Sequence, residues 1–413
     1  MKKRILLCLA HMSGNEQQFI DEAFKDNWVV PLGPNVNAFE DELNSYLGGD
    51  KHVVALSSGT AAVHLSLIAS GVESGDEVLC QSFTFCASAN PITYVGAKPV
   101  FIDSERDSWN IDPDLLEQAI LDRKKATGRY PKALMLVYLY GMPANIDKIM
   151  EICSKYGIIL IEDAAEAFGS RYRGKVCGTF GQYGILSFNG NKMITTSGGG
   201  ALICPDEQSK RKVMFYATQA RESFAYYQHE HIGYNYRMSN ICAGIGRGQM
   251  TIVDEHIRHH KHIASLYRTA FDGSHGITFH DNPGAEYDAN FWLSTIILAP
   301  ELRIKDEQKA YANIISSAIG GAGSVLAQSN TIHTKHEPAP HIEALRLALD
   351  EQGIESRPLW KPMHLQPVFA DCKAYTNGVS EELFRHGLCL PSGPYVTDDD
   401  AKFVIDTIKS NIL

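Results

Sequence analysis

From about Asn15 to Ile252 short, continuous apolar runs alternate with amphipathic stretches, a pattern that predicts helices laid on a largely parallel sheet. The predicted strands are Val53–Leu56, Glu77–Leu79, Pro99–Ile102, Ala133–Val137, Ile158–Ile161, Gly184–Phe188 and Gly200–Ile203. Their unbroken hydrophobicity suits strands covered on both faces. Stretches such as Asp114–Leu121 between them predict helices. Past Asn240 the period changes. Met250, Val253, Ile257, His260, Ala264, Tyr267 and Phe271 fall at steps of three and four, which predicts one long helix with a single apolar stripe. That helix is expected to lead from a large domain, residues 1–253, into a smaller one, residues 254–413.

Length and composition narrow the class. The 413 residues are enough for two or three folding units, and 44% hydrophobic with 21% charged residues is the make-up of a chain that folds. Thirty-eight Lys and Arg against 48 Asp and Glu leave a net charge of −10, which opposes nucleic acid and anionic lipid as partners. No apolar run reaches the roughly 20 residues that a membrane span requires. The start, Met1-Lys2-Lys3-Arg4 before Ile5–Ala10, has too short an apolar stretch for an export leader and is read as an entering strand. Nine cysteines without a Cys-x-x-Cys pair fit reduced thiols, hence a cytoplasmic protein.

Several motifs lack the chemistry they suggest. Gly169-x-x-x-x-Gly174-Lys175 is followed by Val176, where a nucleotide phosphate loop needs a hydroxyl for magnesium. Gly244, Gly246 and Gly248 do not have dinucleotide-loop spacing and are read as close helix packing. His229, His231, His256, His259, His260 and His262 lack the partners of a metal set, and no metal site is expected.

Three distant segments each supply a part that a phosphorylated aromatic aldehyde would need. Ser57-Ser58-Gly59-Thr60 follows a strand and opens a helix, where free backbone N–H groups and a hydroxyl suit a phosphate. Ile158–Ile161 runs into Glu162-Asp163, at the strand end where α/β sheets hold ligands. A carboxylate there can keep a pyridine nitrogen protonated. Gly184–Phe188 leads through Asn189-Gly190-Asn191 to Lys192, 29 residues after Asp163, an amine able to form a Schiff base, with Ser187 placed to reach the phosphate.

The motifs Ser58-Gly59-Thr60-Ala61-Ala62, Ser82-Phe83-Thr84-Phe85, Glu162-Asp163-Ala164-Ala165-Glu166, Ser187-Phe188-Asn189-Gly190-Asn191-Lys192 and Gly233-Tyr234-Asn235-Tyr236-Arg237 resemble the series of the DegT/StrS sugar aminotransferases. The similarity runs from His11-Met12-Ser13-Gly14-Asn15-Glu16 to Arg357-Pro358-Leu359-Trp360-Lys361-Pro362-Met363-His364 and Leu390-Pro391-Ser392-Gly393. Within the family it is most similar to the bacillosamine-type enzymes that aminate UDP-4-keto-6-deoxy-N-acetylglucosamine. The resemblance implies the fold type I architecture, α/β with a mostly parallel central sheet and a smaller α+β C-terminal domain. It implies pyridoxal 5′-phosphate held by Lys192 as an internal aldimine, with pyridoxamine phosphate as the intermediate form.

By the same resemblance, Asp163 pairs with the pyridine nitrogen and Glu166 sits near the ring hydroxyl, where many relatives carry His or Gln. Ser58, Gly59, Thr60 and Ser187 grip the phosphate, and Phe85 stacks on the ring. Asn235 and Arg237 reach the phosphate from a second subunit, which makes the protein a homodimer with composite sites. Arg357, Lys361 and His364 are candidates for the sugar nucleotide. The implied reaction moves an amino group from L-glutamate to a nucleotide-linked keto sugar, with Lys192 carrying the proton. Sugar dehydratases of the family replace the lysine with His, which Lys192 argues against. A regulatory protein that kept the scaffold would be expected to lose Lys192 or Asp163.

Overall fold

In a computed structural model the described residues are 4–274, 276–310 and 337–413. Among the described residues, fifteen strands make three sheets. In chain order, β1 is His52–Leu56, β2 Glu77–Gln81, β3 Lys98–Ile102, β4 Ala133–Val137 and β5 Ile159–Asp163, with β6 Arg171–Tyr172 and β7 Lys175–Val176 forming a small hairpin. Then come β8 Tyr183–Ser187, β9 Gly200–Cys204, β10 Ile277–Phe279, β11 Tyr287–Asp288, β12 Ser294–Leu298, β13 Arg357–Pro358, β14 Lys373–Tyr375 and β15 Gly387–Leu390.

The main sheet has the order β1-β9-β8-β5-β4-β2-β3-β14. Strand β9 pairs antiparallel with both β1 and β8, and every other pairing is parallel, so seven strands point one way. All seven strands expected from the apolar runs are present, each within about two residues at either end. The strands are almost wholly buried because helices cover both faces, which is why their sequences read as apolar runs without alternation.

The expected long helix is two. Asn240–Met250 and Val253–Phe271 are separated at Thr251 and Ile252, whose N–H groups turn back to Gly248 O and Gln249 O, while the Thr251 hydroxyl also caps Gly248 O at 2.6 Å. The stripe survives the break: Val253, Ile257, His260, Ala264, Tyr267 and Phe271 are buried. The three glycines of the first helix face the helices Glu16–Lys25 and Pro34–Tyr46. A Cβ on Gly246 would stand 2.7 Å from the Phe39 ring, and one on Gly248 would stand 2.7 Å from the Glu16 backbone. Their absence of side chains sets the distance between these helices.

Beyond Phe271 the strands β10, β12, β15 and β13 form an antiparallel sheet in that order, packed with the helices Pro340–Glu351 and Asp398–Asn411 around a core that includes Ile296, Leu345, Leu388 and Val404. Three crossings tie this unit to the first, one of them β11 pairing antiparallel with β6 of the hairpin. The entering strand is a single bridge, Ile5 to Ile354, so the N-terminal segment joins the C-terminal unit. In return β14 adds the outer strand of the main sheet, beside β3. We retain the division at residues 253 and 254 as a proposal, with 373–375 belonging structurally to the larger sheet.

Gly248→Ala gains about 1 kcal/mol of helix propensity, yet its methyl meets backbone. A net loss of about 1–3 kcal/mol is expected, read as a lower denaturation midpoint.

Candidate active site

The strands β1, β2, β5 and β8 end at one edge beside the end of β4, and the loops that follow these four enclose a cavity of about 290 Å³. Its wall includes Ser58, Gly59, Thr60, Phe85, Asp163, Glu166, Ser187 and Lys192, eight residues singled out in the sequence, brought together from segments up to 134 positions apart (192 − 58).

At one end the helix Gly59–Ala69 begins behind Ser58, whose hydroxyl accepts from Ala61 N at 3.0 Å. A Cβ on Gly59 would lie 3.1 Å from Ser187 Cβ, and one on Gly200 would strike the backbone of Ser58 and Gly59. Two missing side chains therefore keep the β1 turn, the end of β8 and the start of β9 in close contact. The result is a pocket of hydroxyls and helix N–H groups suited to a phosphate dianion.

Deeper in, the pleat separates the two acids of β5. Glu162 points to the far face and accepts from Tyr138 Oη and Gly178 N, the latter at 2.8 Å. Asp163 points into the cavity. Its Oδ2 accepts from Ser88 Oγ at 2.6 Å, Ser88 Oγ is 2.8 Å from Thr84 Oγ1, and its Oδ1 accepts from Ala165 N at 3.1 Å. Burial raises the Asp163 carboxyl above the usual range, opposed by Ser88, Ala165 and the charge of Lys192. A protonated ring nitrogen supplies what such a desolvated carboxylate lacks.

Lys192 Nζ lies 3.6 Å from Glu166 Oε1. Glu166 is 7% exposed and accepts from Tyr140 N at 2.7 Å, and burial raises its carboxyl while Lys192 and Tyr140 N oppose the rise. Tyr140 holds a left-handed conformation, φ 54°, ψ 17°, which turns its N–H to that carboxylate, and its hydroxyl accepts from Trp360 N at 2.8 Å. Phe85 is 49% exposed at the cavity wall, with its ring centroid 5.3 Å from that of Trp360. A bare aromatic face beside a polar cavity fits a stacked heteroaromatic ring.

The remaining expectations fare differently. Arg237 turns away: its guanidinium binds Glu40 and, at 2.9 Å, Ala55 O, and its side chain is 8% exposed. Glu40 also takes Ala55 N and Lys210, so the cluster closes the outer edge of β1 within one chain. The guanidinium is thus engaged within its own chain, between Glu40 and the β1 backbone. Asn235 is exposed and outside the cavity. His364 is occupied by Ser82 Oγ at 2.6 Å and Glu381 at 3.2 Å, and Arg357 pairs with Glu355 at 3.0 Å. Neither of these, nor Lys361, lines the cavity, so their expected contact with substrate is absent from its wall.

Residues not singled out as site residues also contribute: Ser57, Thr84, Ser88, Asn189, Asn191, Trp292 and Trp360 line the same space. Ser57 and Thr84 sit inside motifs already noted. Trp292 precedes β12 with no local signal.

A lysine, a buried aspartate and a phosphate-sized turn at one edge of a largely parallel sheet fit a pyridoxal-phosphate site; that the enzyme is an aminotransferase follows from its family. The chain belongs to the DegT/DnrJ/EryC1/StrS aminotransferase family, whose pattern matches residues 11–322 and 322–409. It is 45% identical over 412 residues to EpsN of Bacillus subtilis (strain 168), assigned as a pyridoxal phosphate-dependent aminotransferase, covering 99% of this chain and 96% of that one. It is 32% identical to the GDP-perosamine synthase of Caulobacter vibrioides, covering 97% and 96%. Among solved structures, a family aminotransferase from Brucella abortus superposes with a TM-score of 0.81 at 27% identity, covering 96% and 95%.

The raised Asp163 carboxyl gives a signed expectation. A buried acid whose protonation folding favours weakens the fold as pH rises through its raised value. Asp163→Asn should therefore raise the melting temperature of cofactor-free protein at neutral pH. The same change should lower pyridoxal phosphate affinity by about ten-fold or more, the scale of a lost charged hydrogen bond, as measured by titration of absorbance.

Proposed function

We propose that the enzyme transfers an amino group from L-glutamate to a nucleotide-linked keto sugar, foremost a UDP-2-acetamido-2,6-dideoxy-4-keto-hexose, in the synthesis of amino sugars for glycans or polysaccharides. The observation that carries the reaction type is the convergence of Lys192, Asp163 and the Ser58–Thr60 turn on one cavity. The sugar class is supported by the relationship to the perosamine synthases. The choice of UDP and an acetamido group rests on the bacillosamine-like segments His11–Glu16 and Arg357–His364. Those relatives make amination of a GDP-linked sugar the second reading.

The roles follow from position. When bound, pyridoxal phosphate supplies a ring that accepts the electrons released as the donor's α carbon loses its proton. Asp163 would hold positive charge at the ring nitrogen. Backbone N–H groups of Gly59 and Thr60, with the Ser58, Thr60 and Ser187 hydroxyls, would bind the phosphate, and Phe85 would cover the ring face. Lys192 Nζ would take the proton from the donor's α carbon and give it up to complete the transfer. Its side chain is 14% exposed, so little bulk water competes for that proton. Glu166 lies 3.6 Å from the amine and would face the ring hydroxyl.

A second copy of the chain completes the site in this reading. Lys192 is the one Lys or Arg of the described cavity wall, whereas a phosphate and a sugar diphosphate need several cations. Asn235 lies on an exposed segment with Phe224, Tyr226, Tyr227 and Ile232, an apolar surface suited to a homodimer contact. The nine free thiols support a reducing, cytoplasmic setting.

Protein purified with its cofactor should be yellow and be bleached by borohydride. Lys192→Ala should lose turnover by at least about 10³-fold while keeping its far-ultraviolet circular dichroism. A panel of UDP-, GDP- and dTDP-linked keto sugars with L-glutamate should give a product of aminated mass, greatest with the UDP-acetamido 4-keto sugar. Amination of keto acids alone would defeat the sugar assignment.

A further inference from the structure

Trp292 lies on the segment between β11 and β12, with no part in the motif series, yet its indole meets the reactive amine. Lys192 Nζ stands 3.8 Å from the centroid of the ring. The indole Nε1 donates to Asn191 O at 2.6 Å, the carbonyl just before Lys192, so one side chain holds both the backbone and the tip of the lysine. Trp292 is 2% exposed.

Its own placement is built. Trp292 N donates to Asn290 Oδ1 at 2.8 Å. The fully buried Asn290 amide donates in turn to Glu166 O at 2.9 Å and Phe168 O at 3.0 Å. Asn290 N donates to Ser170 Oγ, which donates to Gly141 O, so the loop after β4 joins the same frame. The carboxylate of Glu166 and the indole of Trp292, more than 120 residues apart, are thus referenced to one buried amide while both touch Lys192 Nζ.

We propose that Trp292 is a positioning residue for Lys192: its ring face seats the ammonium while the amine carries a proton, and its N–H pins the loop from which the amine swings. The proposal rests on the reading of Lys192 as the cofactor-bearing residue. A released lysine on a four-carbon stem has many rotamers, and a carboxylate alone would draw its charge to one side. An aromatic face offers a cation a second seat, strengthened by exclusion of water. The amine then stays within reach of the proton it takes and the position to which it returns it, with no electron leaving the cofactor–substrate pair through the indole.

The test compares wild type, Trp292→Phe and Trp292→Leu as pyridoxal-phosphate-loaded proteins. Borohydride reduction followed by peptide mass analysis first locates the cofactor in wild type. Its absence from Lys192 would remove the underlying reading before Trp292 is tested. With the cofactor on Lys192, Trp292→Leu is expected to slow the single-turnover reaction with L-glutamate about ten-fold, with the glutamate KM within about two-fold. The circular dichroism of the cofactor's visible band should change while the far-ultraviolet spectrum does not. Trp292→Phe, which keeps a ring but not the N–H, should recover part of the lost rate. A leucine variant with the wild-type rate and visible circular dichroism, a loss confined to KM, or a phenylalanine variant no faster than leucine would each overturn the proposal. Should the leucine variant not fold, Trp292→Met removes the same ring and is judged by the same outcomes.

Discussion

The molecule is arranged around one electrostatic arrangement: an amine and two carboxylates taken out of water at the edge of a parallel sheet. Asp163 and Glu166 are each pushed toward the protonated form by burial, and Lys192 opposes both shifts. A set of this kind costs stability unless each group keeps a partner. Ser88 and Ala165 N serve Asp163, Tyr140 N serves Glu166, and the indole of Trp292 lies against Lys192. Three seats for a charged ligand are held ready, and the fold supplies the restraint that keeps them apart.

That restraint comes from backbone geometry as much as from side chains. The reversed strand β9 fills the place between β1 and β8, and Gly200 at its start faces both Leu56 and Ser187. Side chains at Gly59 and Gly200 would push these ends apart. The phosphate-sized turn therefore owes its shape to the strand order of the sheet, and the amine at Lys192 to the loop that links β8 to β9. The left-handed Tyr140 does comparable work after β4, where an uncommon φ aims an N–H at a carboxylate.

The Glu40 cluster shows how two similar acids take opposite duties. Glu40, with Arg237, Lys210 and two backbone groups of Ala55, is a satisfied buried ion cluster that fastens a helix to the edge strand. Glu166 is equally buried, yet opens on a cavity and faces an amine. The difference is completeness: the first has its charge balanced inside the chain, and the second is left for a ligand to complete.

The apolar runs determined the strands, because a strand covered on both faces must be hydrophobic along its whole length. The chemistry of Lys192, Asp163 and the Ser58–Thr60 turn was likewise legible, since those groups lie at strand ends and helix starts with local signatures. What adjoins them was not. Trp292, Ser88, Trp360 and the turned-in Arg237 depend on contacts across up to 275 residues (360 − 85), and no local pattern marks which way a side chain points. The helix break at Thr251 escaped the periodicity for a related reason: the apolar stripe continues through it, while the turn is set by hydrogen bonds back to Gly248 and Gln249 and by Asn15, donated from the N-terminal segment. Sequence alone singled out the candidate reactive groups, because strand-end and helix-start signatures are local. Tertiary structure alone decided how they are held, because hydrogen-bond direction and burial exist only once distant segments meet.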